Sequence, residues 1–300
     1  MLGVNWLTLL NVIEKRKEVR LKMKKKKFIQ KTGKIWLLSF VVMMSCSTVF
    51  ALDPMGSPVA ELRQGQLEGG IEYSHSTMDI KLHHGTWIEF FNGFYNGSGD
   101  ATSFTLKDFE MNKVYFNLGY GFTDNLEAFF RIGAATSTFG DSIWEDSEKF
   151  DGNVDLTIGT GIKATFYDDG KLKVGGMIQS SWGKYDGKLD ASHWPSADYV
   201  EINMTEVQIA VGPAYKLTDH VSIYGGPFWH CVTGYLDDEA TEEIGGNIFD
   251  TLFSWDIDDS STFGAYFGTK IDFNENTSFN IEFQHTAEAD AVVAGFRWRF

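Results

Sequence analysis

The last ten residues constrain the fold most. Val292, Ala294, Phe296, Trp298 and Phe300 alternate with Ala291, Val293, Gly295, Arg297 and Arg299. A period of two is the side-chain period of a β-strand, so one face of this strand is apolar and aromatic and the other ends in two cations. The same segregation recurs upstream. Leu126, Ala128, Phe130 and Ile132 oppose Glu127, Phe129 and Arg131, while Phe279, Ile281 and Phe283 oppose Asn280, Glu282 and Gln284. Composition agrees with an all-β chain of many close-packed strands: 31 Gly, 15% aromatics and only 5 Pro.

Four short turn signals punctuate the alternation, at Thr123-Asp124-Asn125, Asp168-Asp169-Gly170-Lys171, Thr218-Asp219-His220 and Asn274-Glu275-Asn276. Asp, Asn and Gly supply turn geometry and local capping there. Between them lie long polar stretches, roughly 83–103, 138–152, 185–198 and 236–260, which are expected as loops. The spacing predicts ten strands, near 65–81, 104–122, 126–137, 153–167, 171–184, 199–217, 220–235, 261–273, 277–286 and 290–300, with eight and twelve as the adjoining even counts. Val207, Ile209 and Val211 lie on one phase and Val200, Ile202 and Met204 on the other, so a bulge or a strand entry is expected near Thr205-Glu206.

A closing strand that ends on Phe300, together with short turns alternating with long connections, resembles bacterial outer-membrane β-barrels. The resemblance covers nearly all of residues 52–300 and rests on architecture, without a family-specific motif. It implies a transmembrane antiparallel up-and-down barrel in the cell outer membrane of a Gram-negative-type bacterium, with both termini periplasmic. Phe296, Trp298 and Phe300 would then be an assembly signal for the barrel-assembly machinery. The partners implied are outer-membrane lipid and lipopolysaccharide. Tyr120, Phe122, Phe166, Tyr167, Tyr215, Phe273 and Phe300 gather beside the short turns as an expected periplasmic girdle, with Trp182, Trp229 and Tyr199 opposite. A secreted β-sandwich is the competing fold, but it gives no reason for the loop alternation.

The other end of the chain fits export. Lys24 to Lys34 is basic and Ile35 to Val42 apolar, the order of a secretory signal peptide, with cleavage expected after Ala51. The apolar run is too short for a spanning helix. Met43 stands where a lipoprotein signal ending at Cys46 wants an aliphatic residue. Lys17-Glu18-Val19 matches the translation of a ribosome-binding site upstream of Met23, so residues 1–22 are expected to be a mis-annotated extension, 23–51 the signal peptide and 52–300 one barrel domain. Beyond residue 51 the chain carries 15 basic and 39 acidic residues, about −24, which opposes nucleic-acid binding. Cys231 alone makes no internal disulfide.

Inward-phase residues include Glu68, Glu72, Asn117, Glu127, Arg131, Asp155, Lys163, Lys173, Gln179, Gln208, Lys216, Lys270, Asp272, Glu282, Arg297 and Arg299. Among these, Glu68, Glu72, Glu127, Arg131, Lys163, Asp272, Glu282, Arg297 and Arg299 form the expected lumen charge network, because buried charges must pair. This favours a braced lumen and a structural or binding barrel, with a narrow pore as the functional variant. The stretch 236–260 holds nine carboxylates and no Lys or Arg. Asp256, Asp258 and Asp259 are weak Ca²⁺ candidates, since their spacing lacks the glycine of a twelve-residue calcium loop. No cofactor is expected beyond a weakly held divalent cation at these acidic loops. Ile248, Phe249, Leu252, Phe253 and Trp255 in the same stretch are an apolar run suited to covering a barrel mouth or to meeting a partner or lipid.

Ten strands also resemble the outer-membrane proteases called omptins, which makes a surface hydrolase the alternative function. His193, His230, Asp237 and Asp238 would be its candidates. The omptin pattern places Asp two residues before its histidine, whereas Ala191 and Phe228 stand there, so no catalytic residue is assigned.

Overall fold

The computed structural model describes residues 52–140, 149–190, 198–257 and 262–300. The expected extension, signal peptide and cleavage point therefore lie outside the described residues. Thirteen strands are formed: β1 (Leu67–Phe91), β2 (Phe94–Ala101), β3 (Phe104–Thr123), β4 (Leu126–Gly140), β5 (Lys149–Gly152), β6 (Asp155–Asp168), β7 (Leu172–Asp190), β8 (Asp198–Lys216), β9 (Val221–Ile244), β10 (Asn247–Ile257), β11 (Thr262–Asn274), β12 (Thr277–Thr286) and β13 (Ala289–Arg299).

Their pairings close on themselves twice. At the end bearing the short turns, β1, β3, β4, β6, β7, β8, β9, β11, β12 and β13 pair in that order, all antiparallel, and β13 returns to β1 with Glu68 opposite Arg299 and Ile71 opposite Phe296. This is a ten-stranded barrel. Above the short β12–β13 hairpin, β10 takes the place of three strands and pairs directly with β1, Leu82 opposite Ile257 and Phe91 opposite Phe249. The ring there runs β1, β3, β4, β5, β7, β8, β9, β10 and back to β1. The wall thus narrows from ten strands to eight. The hairpin tip is tied to β1 where the Asp79 N–H donates to the Glu288 carbonyl at 3.0 Å and Lys81 Nζ pairs with Glu288 at 2.5 Å.

The long loops expected at 83–103 and 236–260 are instead mostly strand. They are hairpins closed at Asn92-Gly93 (φ 49° and 78°) and Gly245-Gly246 (φ 62° and 84°). Two successive left-handed residues give the turn whose twist matches paired strands. In the other two stretches β4 reaches Gly140, β5 is inserted, and β7 reaches Asp190. Polar residues continue these strands because their outer surface need not be apolar, so polarity did not mark a loop. The short turns stay short. Asp169 accepts from the N–H groups of Leu172 (2.7 Å) and Lys171 (2.9 Å), which hold its carboxyl below the usual range.

The bulge or strand entry expected near Thr205-Glu206 is absent, since β8 keeps one register against both β7 and β9 through that point. Val200, Ile202 and Met204 are buried on the same inward face as Glu206 and Gln208. The lumen changes character with height while the strand keeps its phase. A register shift falls instead between Met78 and Ile80, opposite Asp108 at φ 53°, and lets both Leu106 and Phe109 face inward.

Polarity is inverted relative to a water-soluble domain. Ile71, Phe116, Leu118, Phe130, Ile132, Ile162, Ile178, Ile209, Ile281, Phe283, Val292 and Phe296 are exposed on the outside, while Lys113, Arg131, Lys163 and Glu282 are buried inside. That arrangement is what a closed sheet needs in lipid, where every backbone group must pair within the ring.

Candidate functional site in the lumen

Residues 52–66 form no strand. They fill the wider end of the lumen, with Leu52, Asp53, Met55, Ser57, Val59, Ala60 and Leu62 buried. Pro54 and Pro58 remove ladder donors, and Gly56 (φ 69°) and Gly65 (φ 81°) turn the chain into a conformation other residues resist. A buried segment without ladder partners must find side-chain ones. The N–H of Met55 donates to Glu282 Oε1 at 3.1 Å, and that of Ala60 to Thr165 Oγ1 at 3.0 Å. The N–H groups of Glu61 and Leu62 converge on Glu127 Oε2 at 2.7 and 3.0 Å. Gln284 donates to the Asp53 carbonyl at 2.7 Å, while Arg131 and Gln179 donate to that of Pro54 at 2.9 and 3.1 Å. The wall leaves room for this plug: a methyl group on Gly121 would overlap the Arg63 carbonyl.

Charges in the lumen gather in two groups, each completed by the plug. In the first, Asp53 takes Lys113 Nζ at 2.9 Å and Tyr115 Oη at 3.0 Å on one oxygen and Arg131 Nη2 at 3.1 Å on the other. Lys113 also pairs with Glu206, whose second oxygen lies 3.6 Å from His230 Nε2. In the second, Arg297 reaches Glu72 at 2.6 Å and Glu68 at 3.5 Å, and Arg299 reaches Glu68 at 2.9 Å and Glu61 at 2.8 Å. Lys270 adds contacts to Glu61 at 2.7 Å and Asp272 at 3.3 Å. Lys163 is buried against a cavity of about 20 Å³, room for one water, that it shares with Glu68, Glu72, Glu127 and Arg297.

The nine residues expected in the charge network face the lumen or its lower mouth, and six of them are ion-paired among the described residues: Arg131, Arg297, Arg299, Glu68, Glu72 and Asp272. Glu127 and Glu282 instead accept N–H groups of the plug, and Lys163 faces the cavity. Asp53, Glu61, Lys113 and Glu206 belong to the same two groups and were not among the expected members. Lys113 stands on the inward phase between Asn112 and Val114, a signal parity alone would have found. Asp53 and Glu61 belong to a segment without periodicity. Lys173 and Lys216 pair at the rim instead, with Asp168 at 2.9 Å and Asp219 at 3.9 Å.

Above the first group the lumen is apolar. Met78, Ile80, Leu82, Leu106, Phe109, Met111, Val200, Ile202, Met204, Val232, Leu236 and Ile257 are buried in one cluster with Leu52 and Met55. Phe253 and Trp255 stack at 5.4 Å and close over it, the Trp255 indole donating to the Thr102 carbonyl at 3.2 Å.

The surface candidates do not converge. Asp256 lies 3.6 Å from His84, and Asp258 and Asp259 are outside the described residues. Among the described residues no group of three or more metal-ligating side chains occurs. His193 is also outside the described residues. His230 is buried inside the barrel, and Asp238 lies eight residues further along the same strand, roughly 26 Å at the ordinary strand rise, so the two form no couple.

No protein-family model and no curated protein matches the sequence. Among solved structures, similarity is found to bacterial outer-membrane barrels. The translocator domain of the autotransporter NalP of Neisseria meningitidis is 12% identical over 80% of this chain and 90% of that one, at a TM-score of 0.41. The outer-membrane protease OmpT of Escherichia coli is 9% identical over 78% and 97%, at 0.43. An outer-membrane channel of Pseudomonas putida F1 is 13% identical over 83% and 100%, at 0.40. These three differ in activity. The barrel of this chain stands on its own closed pairings.

Proposed function

We propose that this chain is an outer-membrane barrel of structural or binding function, closed at rest by its own residues 52–66, with the surface hairpins as its outward-facing part. The observation that carries the reading is Asp53, a plug carboxylate held by three buried wall side chains with an apolar cluster directly above it. A ten-stranded wall alone would leave a narrow interior, and here side chains from both wall and plug occupy it. Lipid and lipopolysaccharide surround the apolar outer face in this reading. The ends β1 and β13 face the periplasm, and Phe296, Trp298 and Phe300 serve the assembly machinery.

Planar-bilayer recording tests it. Purified protein is expected to show no steady conductance, and a variant lacking residues 53–63 and carrying Phe253→Ala and Trp255→Ala, which opens the upper lumen as well, to conduct. Steady conductance of the intact protein at low voltage would replace the closed reading with the narrow-pore one. The surface-hydrolase alternative has no observation in its favour beyond strand number.

A further inference from the structure

We infer that the lumen wall carries a carboxylate receptor built from Lys113, Arg131 and Tyr115, which Asp53 of the plug fills at rest and a free monocarboxylate with an apolar body occupies in its place. The inference rests on the closed-lumen reading and names the ligand class of that same site.

Three observations carry it. First, the donors address both oxygens of one carboxylate: Lys113 at 2.9 Å and Tyr115 at 3.0 Å on Oδ1, Arg131 at 3.1 Å on Oδ2. A planar two-oxygen acceptor is what such a set recognises. Second, the donors are held by the wall itself. Tyr115 Oη lies 3.0 Å from Thr157 Oγ1, the Arg131 guanidinium sits 4.7 Å from the Tyr115 ring centre, and Lys113 pairs with Glu206. All three side chains are fully buried, and among the described residues the wall carboxylate within ion-pair distance is Glu206, which pairs with Lys113 alone and leaves Arg131 to Asp53. Two buried cations against one wall carboxylate call for a further anion, which the plug supplies. Third, the surface that continues upward from the receptor includes Met78, Met111 and Met204 among aliphatic and aromatic side chains. Unbranched thioethers repack around varied apolar shapes. A carboxylate head at Lys113 and Arg131 would place an alkyl body against them.

The test is chemical rescue. Full-length Asp53→Ala barrel in detergent is melted in acetate, acetamide or chloride, the two salts at equal ionic strength. Acetate is expected to raise the Tm of the variant progressively with concentration while leaving the wild type unmoved, and chloride and acetamide to do neither. Equal effects of acetate and chloride, or no effect of either, would overturn the receptor. Should Asp53→Ala not fold, wild-type protein is titrated with decanoate and, separately, decanol while amide exchange is followed at Met55, Glu61 and Leu62. Faster exchange with decanoate alone supports competition for the site, and equal acceleration by decanol refutes it. Conductance of the resting protein would overturn the closed-lumen reading without altering either series.

Discussion

Arg131 makes two kinds of contact with the plug, an ion pair to Asp53 and a hydrogen bond to the Pro54 carbonyl, from a fully buried position. Removing it leaves Lys113 as the one cation on Asp53 among the described residues and strips the carbonyl of one donor. Breaking a buried pair costs about 3–5 kcal/mol. Arg131→Ala is therefore expected to lower the urea midpoint of the folded barrel markedly. Lys173→Ala, which breaks a half-exposed rim pair with Asp168, is expected to cost about 0–1 kcal/mol and to leave the midpoint nearly unmoved. Equal midpoints would show that the lumen network does not brace the wall. The inward direction of Arg131, Arg297, Arg299 and Glu127 was legible in the sequence, because strand parity alone decides which way a side chain faces. Their partners were not. Asp53 and Glu61 sit 60 to 238 residues away in sequence from the cations they hold, in a segment whose prolines and glycines erase any period.

At the scale of elements, the ten lower strands and the four short turns followed from alternation and Asx-rich signals. The eight-stranded upper ring did not. Its hairpins are so rich in carboxylates, Ser and Gly that they read as loops, although Asn92-Gly93 between aromatic runs is a strong short-range hairpin signal. The apolar upper lumen was misread for a related reason. A change of lumen polarity along β8 looks in sequence like a change of phase. The upper wall depends on the pairing of β10 with β1, in which Ile88 stands directly opposite Leu252 and both are exposed on the outer face. Directly opposed residues of an antiparallel pair are about 4.5–5.5 Å apart at Cα, within disulfide range. In a Cys231→Ser background, Ile88→Cys with Leu252→Cys is expected to cross-link on oxidation and migrate faster on a non-reducing gel. Failure to cross-link under oxidation would show that the two hairpins stand apart as loops.

For the whole molecule, strand length separates two environments. β12 and β13 have 10 and 11 residues, about one tilted crossing of the hydrocarbon, whereas β1 and β9 have 25 and 24. The extra length begins where the wall narrows to eight strands and continues into the paired β1–β2 and β9–β10 hairpins above it, so the narrowing of the wall coincides with its exit from the membrane. Side chains at that height fit an interface: Trp182 donates to Asn203 at 3.0 Å, and Asn203 to Tyr235 at 3.2 Å, all on the outer face. A cation on the outer face should therefore cost different amounts at different heights. Phe130→Arg and Ile281→Arg, on the ten-stranded ring, are expected to destabilise the barrel in lipid by about 2–4 kcal/mol, and Leu252→Arg on the β9–β10 hairpin above the eight-stranded ring by about 0–1. Refolding titrations in lipid vesicles measure all three. In detergent-free water-soluble form no such gradient would exist, and equal penalties at the three positions would mean that the apolar outer face of this barrel does not meet lipid.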